Sequence, residues 1–127
     1  MNKLDDQSIG ETFIKRWYGL IDRKAPISEI LPLTVGDEIQ VDFPNNPLDW
    51  KGFQTWYEGQ CRDFTGQHIL HTVKVEMKNE EMEIFSEITW KAVDKDGRDI
   101  QLFPNVILRL KKEDGFKVYY YGCTDRK

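Results

Sequence analysis

Two histidines are the first candidates for acid–base chemistry in this sequence. His71 lies in the run HILHTVKVEM (68–77), where alternation puts it on the same strand face as Val73 and Val75. An imidazole on an apolar face titrates near neutral pH and could act as a general acid or base. The alternative is a core histidine bonded to a backbone carbonyl or a tyrosine hydroxyl. His68 begins the run, and we expect it to be exposed.

Asp42 is the candidate partner for such an imidazole. It lies in an apolar strand within VDFPNNPLDWKGF (41–53), on the face opposite its apolar neighbours. Asp42 therefore either faces solvent or lines a pocket, the second only if Pro44 or a bulge turns the strand inward. A carboxylate next to His71 would hold one imidazole tautomer and tune its pKa toward the working pH.

Aromatic side chains are abundant enough to wall a cavity for a small apolar or aromatic molecule. Four Trp, five Tyr and seven Phe make up 13% of the 127 residues. A buried tyrosine hydroxyl needs a partner and could donate to a substrate oxygen, a catalytic role for which Tyr18 is the candidate. Asn105 could donate to a ligand carbonyl; its alternative is to satisfy a bulge. The candidate ligand-binding residues are Trp17, Trp56, Tyr57, Trp90, Asn105, Tyr119 and Tyr121.

Composition and charge argue against several classes of function. A formal net charge of −4 without a cluster of basic residues disfavours a nucleic-acid partner. No apolar run approaches the roughly 20 residues that span a bilayer, and the start lacks a signal-peptide pattern, so we expect a cytoplasmic protein. Cys61 and Cys123 are expected to be reduced thiols. His68 and His71 lack a common face and a third ligand, so we expect no metal and no cofactor.

The elements that must position these residues follow in chain order. Ser8 and Glu11 have the form of a capping box, which predicts a frayed segment over 1–7 and then a helix with Trp17 buried at the centre of its apolar face. A short helix over 28–31, a strand over 38–43 and an aromatic helix from about Asp49 to Gly66 come next. Strands are predicted at 68–77, 81–93, 98–112 and 116–124, joined by hairpin turns. Helices first and strands afterwards indicate one α+β domain over 1–127, with the helices on one face of a curved antiparallel sheet.

Alternation also predicts how the last strands present their side chains. Tyr119 and Tyr121 should share one face, with Tyr120 on the other. Apolar residues lie on both faces of 98–112, and Pro104 within it implies a bulge or bend. Two apolar faces suit a sheet that is covered by helices on one side and by a second subunit on the other, which predicts a homodimer.

This order of elements resembles the NTF2-like superfamily, in particular its SnoaL-like members. The matching pieces are residues 13–22, VDFPNNPLDWKGF with Pro44 and Gly52, HILHTVKVEM, and DGFKVYYYGCTD. The resemblance implies a cone, in which a bent sheet closes over two helices around an apolar pocket. Its members include ketosteroid isomerases, scytalone dehydratase, polyketide cyclases, epoxide hydrolases and non-catalytic binding domains, and dimers through the outer face of the sheet are common among them.

The chain departs from the isomerase pattern at the positions that the resemblance assigns to catalysis. Ketosteroid isomerases carry a catalytic Asp directly before the proline, where this chain has Phe43, and a helix-one Tyr near Trp17, beside Tyr18. The resemblance therefore implies binding of a small molecule, with isomerase, dehydratase or cyclase chemistry at His71, Asp42 and Tyr18 as a further expectation. The alternative is a non-catalytic module for dimerisation or partner binding.

Overall fold

The computed structural model describes residues 3–125, with side chains from Asp5 onward. Its helices are α1 (Lys3–Asp22), α2 (Ile27–Ile30) and α3 (Trp50–Asp63), with 3₁₀ turns at Leu31–Leu33 and Gly36–Glu38. Its strands are β1 (Gln40–Phe43), β2 (Asn46–Leu48), β3 (Phe64–Lys78), β4 (Glu81–Asp94), β5 (Asp99–Leu102), β6 (Pro104–Lys112) and β7 (Phe116–Asp125). The α+β class and the hairpin-linked strands predicted from the sequence are confirmed.

Helix α1 begins earlier than the capping-box pattern predicts. Ser8 and Glu11 lie inside the helix, so neither caps it. The first turns are held by a tertiary contact, because the Gln7 side chain donates to the Val73 carbonyl at 2.8 Å and accepts from the Val75 N–H at 3.2 Å. The amide of Gln7 thus pairs with the free edge of β3, a partner that local sequence cannot reveal. The first two residues of the segment predicted to fray lie outside the described residues.

The strands form one curved, unclosed sheet in the order β2-β1-β7-β6-β4-β3. Strand β1 pairs parallel with β7, and the other pairings are antiparallel. The single strand predicted over 98–112 is two strands, because the ladder breaks at Phe103 before Pro104, and β5 pairs with β4 alone. A proline that cannot donate to a ladder explains this break.

Helices α1 and α3 pack on one face of the sheet, here called the inner face; the opposite side is the outer face. Trp17 is fully buried there, stacked on Phe53 with ring centroids 6.4 Å apart and edge-on to Tyr121 at 5.4 Å. Its predicted burial is confirmed. Helix α3 begins where the sequence predicts, and Asp49 caps it by accepting the Gly52 N–H at 2.8 Å. No helix among the described residues is long and apolar enough to cross a membrane.

Two β-bulges reverse the alternation of side chains in the strands that matter most for a site. In β3 the register passes from Leu70 to Thr72 and skips His71. In β7 the partners of Arg109 and Leu110 are Tyr120 and Val118, so Tyr119 is skipped. One extra residue moves every later side chain to the other face. The face assignments predicted for His71 and Tyr119 are therefore wrong.

Candidate functional site

A cavity of about 250 Å³ opens between helices α1 and α3 and the inner face of the sheet. A dry cavity of about 150 Å³ can hold benzene, so this one admits a substituted ring or a compact two-ring molecule. Both helices and the strands β1, β3, β4 and β7 contribute aromatic side chains to its wall. These aromatic residues are Tyr18, Phe43, Trp56, Tyr57, Phe64, Trp90 and Tyr121.

An imidazole–carboxylate pair lies at the wall of this cavity. His68, near the start of β3, places Nδ1 2.6 Å from Oδ1 of Asp22, the last residue of α1. The other carboxylate oxygen, Oδ2, accepts the backbone N–H of His68 at 2.8 Å. A carboxylate can only accept, so Nδ1 carries the proton and Nε2 is the ring nitrogen left for a ligand. Asp22 thus fixes both the tautomer and the orientation of the ring.

Two aromatic rings pack against the imidazole of His68. The Tyr18 ring stacks on it with centroids 4.2 Å apart and 27° between planes, and the Trp90 ring is 6.1 Å away at an interplanar angle of 30°. Only 16% of the His68 side chain is exposed. No hydrogen bond to Nε2 occurs among residues 3–125. The ring is therefore preorganised at the wall of the cavity, and its Nε2 has no partner among the described residues.

A pair of tyrosine hydroxyls lies at the inner wall of the same cavity. The hydroxyl oxygens of Tyr18 and Tyr121 are 2.9 Å apart, and both residues are buried. Burial raises the pKa of Tyr18 and of Tyr121 well above their usual value, so both hydroxyls are neutral at physiological pH. One O–H proton forms the bond between them and the other can be donated to a ligand oxygen.

Two thiols line the cavity, and that of Cys123 is a poor candidate for nucleophilic chemistry. Cys61 and Cys123 are both free, as expected. Burial raises the pKa of Cys123 to about 12, which keeps it in the unreactive thiol form. Burial, followed by a hydrogen bond to Cys61, also raises the pKa of Tyr57, whose hydroxyl donates to the carbonyl of Ala25. Within the part of the chain that is described, no three His, Cys, Asp or Glu side chains form a cluster able to hold a metal.

Five of the predicted catalytic and ligand-binding residues line the cavity, namely Tyr18, Trp56, Tyr57, Trp90 and Tyr121. Trp17 does not line it, because its ring is enclosed between Phe53 and Tyr121 in the packed interior. The other four predicted site residues lie on the outer face or at an exposed position. They are His71, Asp42, Asn105 and Tyr119.

The bulge in β3 places His71 at an exposed position outside the cavity, where Nε2 lies 2.6 Å from Oγ1 of Thr89. Asp42 is also exposed, since β1 alternates regularly and neither Pro44 nor a bulge turns it inward. Its carboxylate accepts the Tyr120 hydroxyl at 3.1 Å. The predicted pair of His71 and Asp42 therefore does not form.

Asn105 and Tyr119 likewise point away from the cavity. Asn105 pairs with Glu87 in the register of β6 and β4, on the side opposite buried Val106. The bulge in β7 turns Tyr119 outward, where its hydroxyl donates to Glu81 at 2.6 Å. Regular alternation therefore placed Tyr119 on the wrong face. Asn105 lies outside the cavity for a different reason, because the even-numbered residues of β6 are the ones that face inward.

Asp22 is not among the site residues predicted from the sequence, and His68 was predicted to be exposed. A signal for Asp22 was available, because it follows Tyr18 by four positions and so lies one turn further along the same face of α1. The aromatic stretch around residue 64 reads as the end of a helix, yet β3 already begins at Phe64. His68 is therefore the fifth residue of a strand rather than its exposed first one.

Solved structures share this architecture over nearly the whole chain. A protein of Novosphingobium aromaticivorans, provisionally described as an aromatic ring hydroxylase, matches with a TM-score of 0.87 and 14% identity over 100% of this chain and 93% of its own. A second protein of that organism, provisionally described as a scytalone dehydratase, matches with a TM-score of 0.81 and 17% identity over 92% of this chain and 81% of its own. An NTF2-like superfamily protein of Salmonella enterica matches with a TM-score of 0.84 and 16% identity over 96% of this chain and 91% of its own.

These likenesses show the fold. The chain has the NTF2-like fold, and the resemblance found in the sequence is confirmed at that level. No model of a protein family matches the chain. A search of curated proteins found no match either.

Proposed function

We propose that this chain of NTF2-like fold binds a small aromatic or partly apolar molecule and moves a proton on it, in a reaction of the isomerase or dehydratase type. The observation that carries the proposal is the imidazole of His68, fixed by Asp22 through Nδ1 and stacked on Tyr18, with Nε2 free beside the cavity. A base held this way needs no further reorganisation before it acts.

The proposed steps use groups of this chain alone. Nε2 of His68 takes a proton from a carbon next to a ligand carbonyl, and the Asp22 carboxylate stabilises the imidazolium that forms. The free O–H of the Tyr18–Tyr121 pair donates to the carbonyl oxygen as negative charge develops there. The imidazolium then returns its proton to another carbon, which isomerises the ligand, or to a departing hydroxyl, which leaves as water as the carbon–carbon double bond forms.

Size and the structural neighbours support a ligand of one or two rings. A volume of about 250 Å³ lies just below the roughly 300–1,000 Å³ of sites for drug-sized ligands. One structural neighbour is provisionally described as a scytalone dehydratase, which is in keeping with a dehydration reaction. The aromatic walls favour stacking of a planar ligand.

The experiment is a screen for water elimination from β-hydroxy ketones built on one benzene ring or two fused rings, followed by the absorbance of the conjugated product. We expect turnover that falls about 10²–10⁴-fold in His68→Gln, the range of general acid–base catalysis. Asp22→Asn should lower kcat through loss of the fixed tautomer. His71→Gln is the matched control and should retain activity. Equal activity in His68→Gln and His71→Gln would contradict the proposed role.

We also propose a homodimer through the outer face of the sheet, the arrangement that a non-catalytic module would share. Phe85 and Ile107 are paired in register at the centre of that face and are only half-buried. Oδ1 of Asn105 is buried there without a hydrogen-bond partner among the described residues, which would suit a donor from a second subunit. Sedimentation velocity at micromolar concentration should give a dimer, and a 15.0 kDa species would refute it.

Two free thiols support a reducing compartment such as the cytoplasm.

A further inference from the structure

Lys24 has an unusual backbone conformation at the rim of the cavity. Its φ of 59° lies in the left-handed region, which side chains with a Cβ rarely adopt. The position is the residue after the C-cap of α1, because Lys24 N–H donates to Ile21 at 3.1 Å and Ala25 N–H donates to Leu20 at 3.0 Å. This pair of bonds is the Schellman motif, in which glycine is the usual residue. A lysine at such a position is strained, and its side chain is a candidate for function.

The surroundings fix where the Lys24 side chain begins. Ala25 is buried, and its carbonyl accepts the hydroxyl of Tyr57 from α3. The Lys24 Nζ donates to Oγ1 of Thr65 at 2.9 Å, across the gap between the end of α1 and β3. Lys24 itself lines the cavity. The ammonium is therefore held at the mouth by a rigid turn below and a neutral hydroxyl beside it.

No carboxylate among residues 3–125 forms an ion pair with the Lys24 ammonium, which donates a hydrogen bond to the Thr65 hydroxyl. An ammonium has three N–H donors, so two are free for another acceptor. Of the carboxylates at the cavity, Asp22 already accepts two hydrogen bonds from His68. Asp125 is exposed at the end of β7, where water screens it.

From the strained turn, the free donors and the rim position, we infer that Lys24 binds an anionic group, so that the ligands of this cavity are small aromatic acids. Their rings lie among the aromatic walls, and their carboxylate is oriented to the Lys24 side of the mouth. This inference rests on the proposed function of the cavity and adds the class of ligand to it.

The test compares naphthalene-2-carboxylate with naphthalene-2-carboxamide, two probes of nearly equal shape that differ in charge. Affinities are measured by isothermal titration calorimetry at low salt for the wild type, Lys24→Gln, Lys24→Gly and Lys15→Gln. Lys24→Gly suits the left-handed turn and should not lower the midpoint of thermal unfolding. Lys15→Gln is the control, because Lys15 is an exposed lysine of α1 that does not line the cavity.

We expect the wild type to bind the carboxylate roughly two- to fivefold more tightly than the carboxamide, in line with an exposed ion pair. The ratio should fall to about one in both Lys24 variants, remain in Lys15→Gln, and shrink at 1 M NaCl, where the screening length is about 3 Å. Equal affinities in the wild type, or a preference that survives in the Lys24 variants, would overturn the inference and leave the proposed function standing. Binding of neither probe at millimolar concentration would overturn both.

Discussion

The interior between the helices and the inner face has two parts that differ in chemistry. One part is filled with aliphatic side chains that are fully buried, including Ile14, Ile30, Met82, Ile84, Leu108, Leu110 and Val118. The other part is the cavity, whose walls are largely aromatic and whose polar groups include His68 and the Tyr18–Tyr121 pair. Packing thus supplies stability in the first part, and the second part is left open for a ligand.

A single helix connects the two parts. Ile14 and Trp17 of α1 point into the packed interior, and Tyr18 and Asp22 reach the cavity one turn later. Changes at the first pair should therefore act on folding alone, and changes at the second should act on binding or turnover as well.

The largest effect on stability is expected from Trp17→Ala. Trp17 is fully buried against Phe53 and Tyr121, and removing a ring from a site that cannot collapse costs about 3–5 kcal/mol. Denaturant unfolding followed by circular dichroism measures this change. A loss below about 1 kcal/mol would show that Trp17 does not belong to the packed interior.

Alkaline pH should destabilise the protein through groups at the border of the two parts. The folded-state pKa is raised for Tyr18 and Tyr121, and for Cys123 to about 12, chiefly by burial. A raised pKa means that the stability is fully present below the unfolded-state pKa and is lost as pH rises above it. The free energy of unfolding should therefore begin to fall above about pH 9, where an unfolded cysteine ionises, and more steeply above about pH 10, by up to about 1.4 kcal/mol per pH unit for each buried group. Tyr121→Phe should reduce the slope, and an unchanged slope would contradict this account.

Tyr121→Phe at neutral pH should cost about 1–3 kcal/mol, because it leaves the buried Tyr18 hydroxyl without its partner. Tyr18→Phe should have a similar effect. The double variant should cost less than the sum of the two, since the second change removes a group that is already unpaired. Additive losses in a double-mutant cycle would show that the hydroxyl pair does not form.

Trp90→Ala should have the smallest effect on stability, about 1 kcal/mol or less, although it removes the same side chain as Trp17→Ala. Trp90 is only partly buried at the cavity wall, so it takes less apolar surface out of water than Trp17 does. Affinity for an aromatic probe should nevertheless fall, because Trp90 supports the ring of His68. A stability loss equal to that of Trp17→Ala would remove the distinction between the two parts.

The sequence predicted the fold better than the site, and the reason is local. Strand β4 contains no extra residue between positions 84 and 88. Alternation therefore correctly placed Ile84, Ser86 and Ile88 on one face of the sheet. Strands β3 and β7 each contain one extra residue, and nothing in their side chains distinguishes a bulge from regular pairing. The extra residue in β3 is the reason that the sequence placed His71, rather than His68, on the face that lines the cavity.

The start of α1 and the partner of His68 were hidden for a related reason. Both depend on contacts between residues far apart in the chain, Gln7 with β3 and Asp22 with His68. Aromatic content, by contrast, is a property of composition. Trp56, Trp90 and Tyr121 do line the cavity, and their role in binding a ligand stays a prediction.

The most direct test of the central claim uses the two histidines of the chain as site and internal control. Imidazole ¹⁵N and ¹³Cε1 resonances, assigned with His68→Gln, are followed while naphthalene-2-carboxamide or naphthalene-2-carboxylate is added. The account predicts that the His68 signals shift saturably and that those of exposed His71 do not. Saturable shifts at His71 alone, or none at His68 under conditions where a probe binds, would contradict the assignment of the cavity and its imidazole–carboxylate pair as the functional site.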